Sequence, residues 1–262
     1  MMKKISIALI SMAAVAMAGL TSANAAEKLR IGTEGAYPPF NYVDSAGKVG
    51  GFDVDIGLAL CAKMKVECEV VTQDWDGIIP ALQGKKFDMI IASMFITDER
   101  KKQVSFSNPY YLAAMTLVAP KGAGITDFTN EGLKGKVIGA QSGTTQAEYA
   151  TASFPDAEVK LYPTQDEVNI DMVNGRLDVQ VGDMLPLLDW ITKNDDGKKC
   201  CELIGKPITD PKFVGEGVGI AVRQEDNDLR ERLNKALDEI RADGTYQTIN
   251  AKYFPIDIYT MK

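Results

Sequence analysis

Two spacings of apolar residues recur along this chain. Short apolar runs at residues 29–33, Glu67–Thr72, 88–92, 117–119, 137–140 and 178–181 read as strands. Residues 88–92 are almost continuously apolar, the pattern of a strand buried on both faces. Helical spacing governs Phe52–Met64, where Val54, Leu58, Cys61 and Ala62 recur. It also governs residues 227–243, where Leu229, Leu233, Leu237 and Ile240 share one face before Gly244 ends the helix. Residues 75–82 read as a short helix ended by Gly84, and residues 169–177 as a helix stopping at Gly175. Tyr37-Pro38-Pro39-Phe40 cannot be helix interior, and Asp44-Ser45-Ala46-Gly47-Lys48 is a turn. Strands and helices alternate, which predicts an α/β fold with mostly parallel sheets. Binding sites in such sheets lie beyond the carboxyl ends of the strands.

The first 25 residues depart from this alternation. Met1-Met2-Lys3-Lys4 is a basic start, residues 5–20 are apolar apart from Ser6, Ser11 and Gly19, and Ala23-Asn24-Ala25 is a small-x-small site. This is the three-part plan of a secretory signal peptide, and the apolar run is short for a membrane span. The expectation is cleavage after Ala25 and export of the remainder. Export permits disulfides. The four cysteines allow three pairings. Cys61 and Cys68 suit a bridge from the end of a helix to the following turn. Cys200 and Cys201 are adjacent, and on spacing alone they pair with each other, pair elsewhere or stay reduced.

Composition narrows the chemistry. The 262 residues are 45% apolar and 25% charged, which excludes disordered and fibrous classes. Lys plus Arg is 29 and Asp plus Glu is 36, a net charge of -7, so no nucleic-acid partner is expected. Histidine is absent, which removes Ser-His-Asp and Cys-His catalysis and His-ligated zinc. No Cys-x-x-Cys occurs either.

Four polar clusters follow predicted strands. They are Glu34-Gly35-Ala36-Tyr37, the segment from Ser93, Met94 and Phe95 to Arg100, Gln141-Ser142-Gly143-Thr144-Thr145-Gln146, and Asp183. In one cleft they would supply one cation, two anions, hydroxyls and amides, with Tyr37 and Trp75 as flat walls. An Arg fork matches a carboxylate, backbone N–H groups at the Thr144-Thr145 helix start add donors, and an Asp opposite suits an ammonium. Together these describe a free amino acid. Each residue also has a plainer reading. Arg100 sits in a charge run, ordinarily a solvated face. Thr144 suits a helix N-cap, and Asp183 could cap the next helix. Glu34 could be an exposed turn residue, and Trp75 and Tyr37 could simply pack.

The order of these blocks resembles a family. Arg30-Ile31-Gly32-Thr33-Glu34, Tyr37-Pro38-Pro39-Phe40, Gly51-Phe52-Asp53-Val54-Asp55 and Trp75-Asp76-Gly77-Ile78-Ile79-Pro80-Ala81-Leu82 open the series. Ile96-Thr97-Asp98-Glu99-Arg100-Lys101, Gly143-Thr144-Thr145-Gln146, Gly175-Arg176-Leu177-Asp178 and Arg241-Ala242-Asp243-Gly244-Thr245-Tyr246 continue it. The whole is similar to the periplasmic solute-binding proteins of polar amino-acid ABC transporters, in the lysine/arginine/ornithine and histidine branch. The resemblance implies a type II, two-lobe α/β clamp with a ligand cleft between the lobes. Lobe 1 would be residues 26–112 plus 217–262 and lobe 2 residues 113–216, joined by hinge strands near 112–114 and 214–217. Arg100, with backbone at Thr145 and Ser93, would hold the α-carboxylate, and Asp183 the α-ammonium. Tyr37 and Trp75 would sandwich the side chain. Glu34 would meet its distal cation, which favours arginine, lysine or ornithine. The remaining expected ligand-binding positions are Met94, Phe95, Ser142, Thr144 and Gln146. Cys61 and Cys68 match the disulfide of the basic amino-acid branch. The resemblance implies a monomer that docks on a membrane permease, with no cofactor, no metal and no catalytic residue.

The chain departs from the pattern at Ala92 and Phe95, where serines are usual. Phe95 removes an expected acceptor for the α-ammonium. Glu34 with Trp75 also resembles opine-binding relatives, whose ligands are N-substituted. A third alternative is a periplasmic dehydratase of the same fold, with Glu34 or Asp183 as general acid or base.

Overall fold

The computed structural model describes residues 27–260; the expected signal peptide, residues 1–25, lies outside the described residues. From the amino end the order is β1 (Lys28–Thr33), β2 (Ala36–Tyr37), β3 (Asn41–Val43), β4 (Val49–Gly50), α1 (Phe52–Met64), β5 (Glu67–Thr72), α2 (Ile78–Gln83), β6 (Met89–Ile90), α3 (Asp98–Lys101) and β7 (Ser105–Phe106). The middle of the chain supplies β8 (Met115–Pro120), β9 (Val137–Gln141), α4 (Thr145–Ser153), β10 (Glu158–Tyr162), α5 (Gln165–Val173), β11 (Val179–Asp183), α6 (Met184–Lys193), α7 (Asp195–Cys200), β12 (Cys201–Ile208) and α8 (Pro211–Val214). β13 (Ala221–Val222), α9 (Asn227–Ala242) and α10 (Thr245–Tyr253) complete it.

These elements form two five-stranded sheets, and hence two lobes. The orders are β5-β1-β6-β13-β7 and β10-β9-β11-β8-β12. The two orders follow one scheme. In each sheet three parallel strands stand beside one antiparallel strand delivered by a crossing between the sheets, β13 in the first and β8 in the second. The antiparallel pairs correct the expectation of mostly parallel sheets: both are mixed. The cause is the double crossing, which sends a strand into each sheet from the far side. A small three-stranded sheet, β2-β3-β4, was not read from the sequence because its strands are only two or three residues long.

Burial on both faces explains the near-continuous apolar run at residues 88–92. Met89 and Ile91 pack with Ile31, Leu60, Leu233 and Ile240, whereas Ile90 and Ala92 pack on the opposite face with Ile78, Leu82 and Phe87. Side chains alternate across a strand, so both faces need apolar residues. The second sheet repeats this. Ile138, Ala140 and Val181 meet Ala147 and Phe154, while Val118 meets Val168, Met172 and Leu187 on the other face. The helix read at residues 169–177 lies earlier, at Gln165–Val173. Thr164 sets that start, since its hydroxyl accepts from the Glu167 N–H.

The start of α1 binds several loops together. Its first N–H groups are capped by backbone: Phe52 donates to the Pro39 carbonyl and Asp53 to that of Phe40. Gly51 is required there, with φ of 120° and room for no Cβ, which would fall 2.2 Å from the Phe40 oxygen. The Asp53 side chain is fully buried and accepts from Asn41 Nδ2 (2.8 Å), Ser93 Oγ (3.0 Å) and Tyr110 Oη (2.7 Å). Asn41 in turn accepts from the Gly35 N–H at 2.8 Å.

A disulfide joins Cys61 to Cys68, tying α1 to β5. Cys200 and Cys201 are bonded to each other at the α7–β12 junction, which closes the question that their spacing left open. Among the described residues, no helix is long and apolar enough to cross a membrane.

Asp53→Ala would leave three buried donors without their shared acceptor. It is expected to cost at least about 3 kcal/mol of unfolding free energy, read by urea denaturation. A cost under about 1 kcal/mol would mean that the loops hold their places without it.

Candidate functional site

The carboxyl ends of β1, β6, β9 and β11 meet where the two sheets face each other. β1 and β9 each stand between two parallel neighbours, where successive connections leave in opposite directions, so their ends open a crevice. The crevice holds a cavity with about 370 Å³ of atom-free space, part of it open to solvent. Its lining includes Glu34, Tyr37, Trp75, Ser93, Phe95, Arg100, Thr144, Gln146 and Asp183, all singled out from the sequence, and also Ala92, Gln141 and Gln165.

Hydrogen bonds cross the cavity between the lobes. Tyr37 Oη donates to Asp183 Oδ2 at 2.8 Å, Gln141 Nε2 to Glu34 Oε1 at 2.6 Å, and Trp75 Nε1 to the Gly143 carbonyl at 3.0 Å. Gly143, with φ of 65°, marks a close approach: a Cβ there would lie 2.7 Å from Asp76 Oδ1. The lobes are therefore closed on each other.

Charges line this closed space. Arg100 follows a Thr97 N-cap, is buried, and donates from Nη1 to the Phe95 carbonyl at 3.1 Å. Its guanidinium lies 5.2 Å from the centroid of the Trp75 ring. Among the described residues no carboxylate lies within 4 Å of it. Burial lowers its pKa to about 10, opposed by the charges of Glu148 and Asp183. Asp183 ends β11 at the N-cap position of α6, yet its side chain does not cap that helix. It accepts from Tyr37 and from Gln146 Nε2 instead. Burial raises its carboxyl to about 6, with the Tyr37 and Gln146 donors and Arg100 pulling the other way. Glu34 is raised further, to about 7, chiefly by burial and then by Asp166, Asp74 and Asp76, with the Gln141 bond opposing.

The other predicted residues fall as follows. Ser93 sits in a left-handed conformation, φ 53°, at the cavity wall. Its hydroxyl goes to Asp53, and its N–H donates to Tyr110 Oη at 3.3 Å. Met94 is fully buried in the core on the Ile78–Leu82 side and is not part of the lining. Ser142 and Thr145 lie in the loop and first turn of α4, next to the lining rather than in it. Thr144 is the N-cap of α4, as the plainer reading has it, and also faces the cavity. Trp75 is half-buried, packed against the Ile78–Leu82 core and lining the cavity. Gln165 was missed because its helix was started too late; the Thr164-x-x-Glu167 capping pattern was the available signal. Among the described residues no group of three or more acidic or Cys side chains is placed to hold a metal.

Comparison with known proteins decides the family. Residues 29–256 match the model of the bacterial extracellular solute-binding proteins, family 3. The chain belongs to that family. An L-arginine-binding protein of Pseudomonas aeruginosa is 46% identical over 260 residues, covering 98% of this chain and 99% of the relative. An arginine-specific periplasmic binding protein of Salmonella typhimurium superposes with a TM-score of 0.80 at 36% identity, over 87% of this chain and all of that one. An ancestral arginine-binding protein bound to glutamine gives 0.79 at 40% identity, over 87% of this chain and 98% of that one. The two-lobe, type II architecture of a family 3 solute-binding protein therefore holds for this chain. Its role is to bind a substrate, as in the binding proteins it resembles.

Three buried carboxyls with raised pKa values, Glu34, Asp53 and Asp183, set the pH response of stability. Between about pH 4 and 7 the folded protein holds more protons than the unfolded chain, so stability falls as pH rises across that window. The Tm of protein refolded to remove carried-over ligand is expected to be several degrees lower at pH 8 than at pH 5. A Tm rising over that range would contradict the assignment.

Proposed function

We propose that this chain is the periplasmic substrate-binding component of an ABC importer for a cationic amino acid, with arginine, lysine and ornithine as the favoured class. One observation carries the reading: a buried guanidinium without a carboxylate partner, Arg100, shares a closed cavity with two buried carboxyls, Asp183 and Glu34. A buried charge needs a counter-charge. A zwitterion with a cationic side chain supplies all three: a carboxylate for Arg100, an ammonium for Asp183 and a distal cation for Glu34. The free N–H groups of the first turn of α4 would join Arg100 on the α-carboxylate. Tyr37 and Trp75 would wall the aliphatic stem. The arginine-binding relatives support this class.

Capture would proceed by closure about hinges near residues 112–114 and 214–217. Support comes from the pairing of Tyr111 and Phe95 with Val218, which brings the crossings side by side. A ligand touching both lobes stabilises the closed form by its differential affinity, and that form would dock on the permease. Residues 26–112 with 217–262 would then move against residues 113–216.

A second reading rests on Phe95. Its side chain is buried and lines the cavity where a hydroxyl would have added an acceptor for a primary ammonium. An N-substituted amino acid, an opine, needs fewer acceptors there.

A thermal-shift screen with arginine, lysine, ornithine, histidine, glutamine, octopine and nopaline separates these readings. A ligand at 100 times its Kd adds roughly 2.7 kcal/mol. Stabilisation by basic amino acids is the expected result, and stabilisation by opines alone would replace it with the second reading. Arg100→Ala is expected to weaken the best ligand at least about 100-fold in calorimetry while the Tm stays within a few degrees. Undiminished affinity would remove Arg100 from the carboxylate clamp.

A further inference from the structure

Glu34 and Gln141 form an asymmetric pair whose orientation the fold fixes. Gln141 Nε2 donates to the Pro163 carbonyl at 3.1 Å, and a carbonyl can only accept. The amide is thereby oriented with its nitrogen toward Glu34, and its second hydrogen goes to Oε1 at 2.6 Å. Oε1 accepts the Gln141 bond, Oε2 receives none from it, and Glu34 lines the cavity. A proton on Glu34 would reside on Oε2 and point a donor into the cleft. Without it, Oε2 is an anion.

We propose that Glu34 selects the ligand's side-chain chemistry through its protonation. As a carboxylate it takes a side chain ending in a cation, and as the neutral acid it donates from Oε2 to one ending in a carbonyl, such as a ureido or carboxamide group. The inference rests on the proposed placement of the ligand's distal end at Glu34.

The surroundings allow both states. Asp166 of α5 and Asp74 and Asp76 in the turn before α2 act on Glu34, and each opposes its negative charge. Tyr37 of β2 and Asp183 of β11 share the cavity, and among the described residues Arg100 of α3 is the one cation lining it. Burial first, and then Asp166, Asp74 and Asp76 against the opposing Gln141 bond, raise Glu34 to about 7. A ligand cation supplies the missing positive charge and drives the proton off, whereas a ligand carbonyl keeps it on. The glutamine-bound ancestral arginine binder is a protein of this fold in which a carboxamide ligand has been seen.

L-Arginine and L-citrulline test the idea, because they differ in a guanidinium against a neutral ureido group of the same length. Both would be titrated calorimetrically into the refolded mature chain at pH 5.5, 7.0 and 8.5, in buffers of differing ionisation heat. Asp183 and Arg100 meet the same α-groups in both ligands, so the ratio of the two affinities isolates Glu34. From pH 5.5 to 8.5 that ratio is expected to rise at least about tenfold in favour of arginine, given a group titrating near 7. Arginine should release protons at pH 5.5, and citrulline should not. Glu34→Gln, a permanent neutral donor, should flatten the ratio and retain citrulline. A constant ratio with no proton release while arginine binds overturns the selector and leaves the transport reading intact. Absence of citrulline binding at pH 5.5 likewise overturns it. Binding of neither ligand at any pH overturns the cationic reading and the selector together.

Discussion

Asp53 is buried without a cationic partner, and the arrangement of the first lobe follows from how that charge is met. Its carboxylate gathers Asn41, Ser93 and Tyr110, three donors from three separate segments of the chain. Hydrogen bonds to a buried carboxylate are among the stronger ones a protein makes. Through Asn41 the same charge reaches the Gly35 N–H, next to Glu34. Through Ser93 it holds the left-handed turn that follows β6 and leads to Phe95 and Arg100. Two of the cleft's charged groups are thus placed by one acid that never faces the cleft. The position of Asp53 in the first turn of α1 adds the favourable field of a helix N-terminus.

The cleft itself collects charges that would be costly to bury alone. Arg100 loses hydration on closure without gaining a carboxylate from the chain, and Glu34 and Asp183 are pushed toward neutrality. Removing a charge from water costs several kcal/mol unless a counter-charge arrives. The closed cleft asks for their complement. Recognition and closure are therefore one electrostatic problem, solved at the same moment by the same ligand atoms.

The sequence carried the elements whose burial is one-sided or complete. The helix from residue 227 and the run at residues 88–92 were legible because every apolar residue in them has a core to meet. The antiparallel strands β8 and β13 were not, since nothing in a strand's own residues says which neighbour a chain crossing will give it. Among cleft residues, charged and aromatic ones and the Gln141–Gln146 cluster stood out, while the amide Gln165 did not. Gln165 carries no charge or large apolar surface to mark it, and its partners Asn169 and Gln180 are brought near only by the fold. Met94 erred in the other direction. It lies between two cavity residues, yet its side chain packs into the core with Ile78 and Leu82.

The cross-lobe bonds have a reciprocal pattern that bears on how firmly the cleft closes. The acid of the second sheet, Asp183, accepts from Tyr37 of the first lobe, and the acid of the first, Glu34, accepts from Gln141 of the second. Each bond exists only when the lobes meet. A net hydrogen bond is worth about 1 kcal/mol, so these two with Trp75–Gly143 contribute about 3 kcal/mol to closure. That is comparable with the effective cost of withdrawing a single charge such as Arg100 from water. On the proposed closure, a ligand that meets the charges adds the differential affinity that decides between the two states.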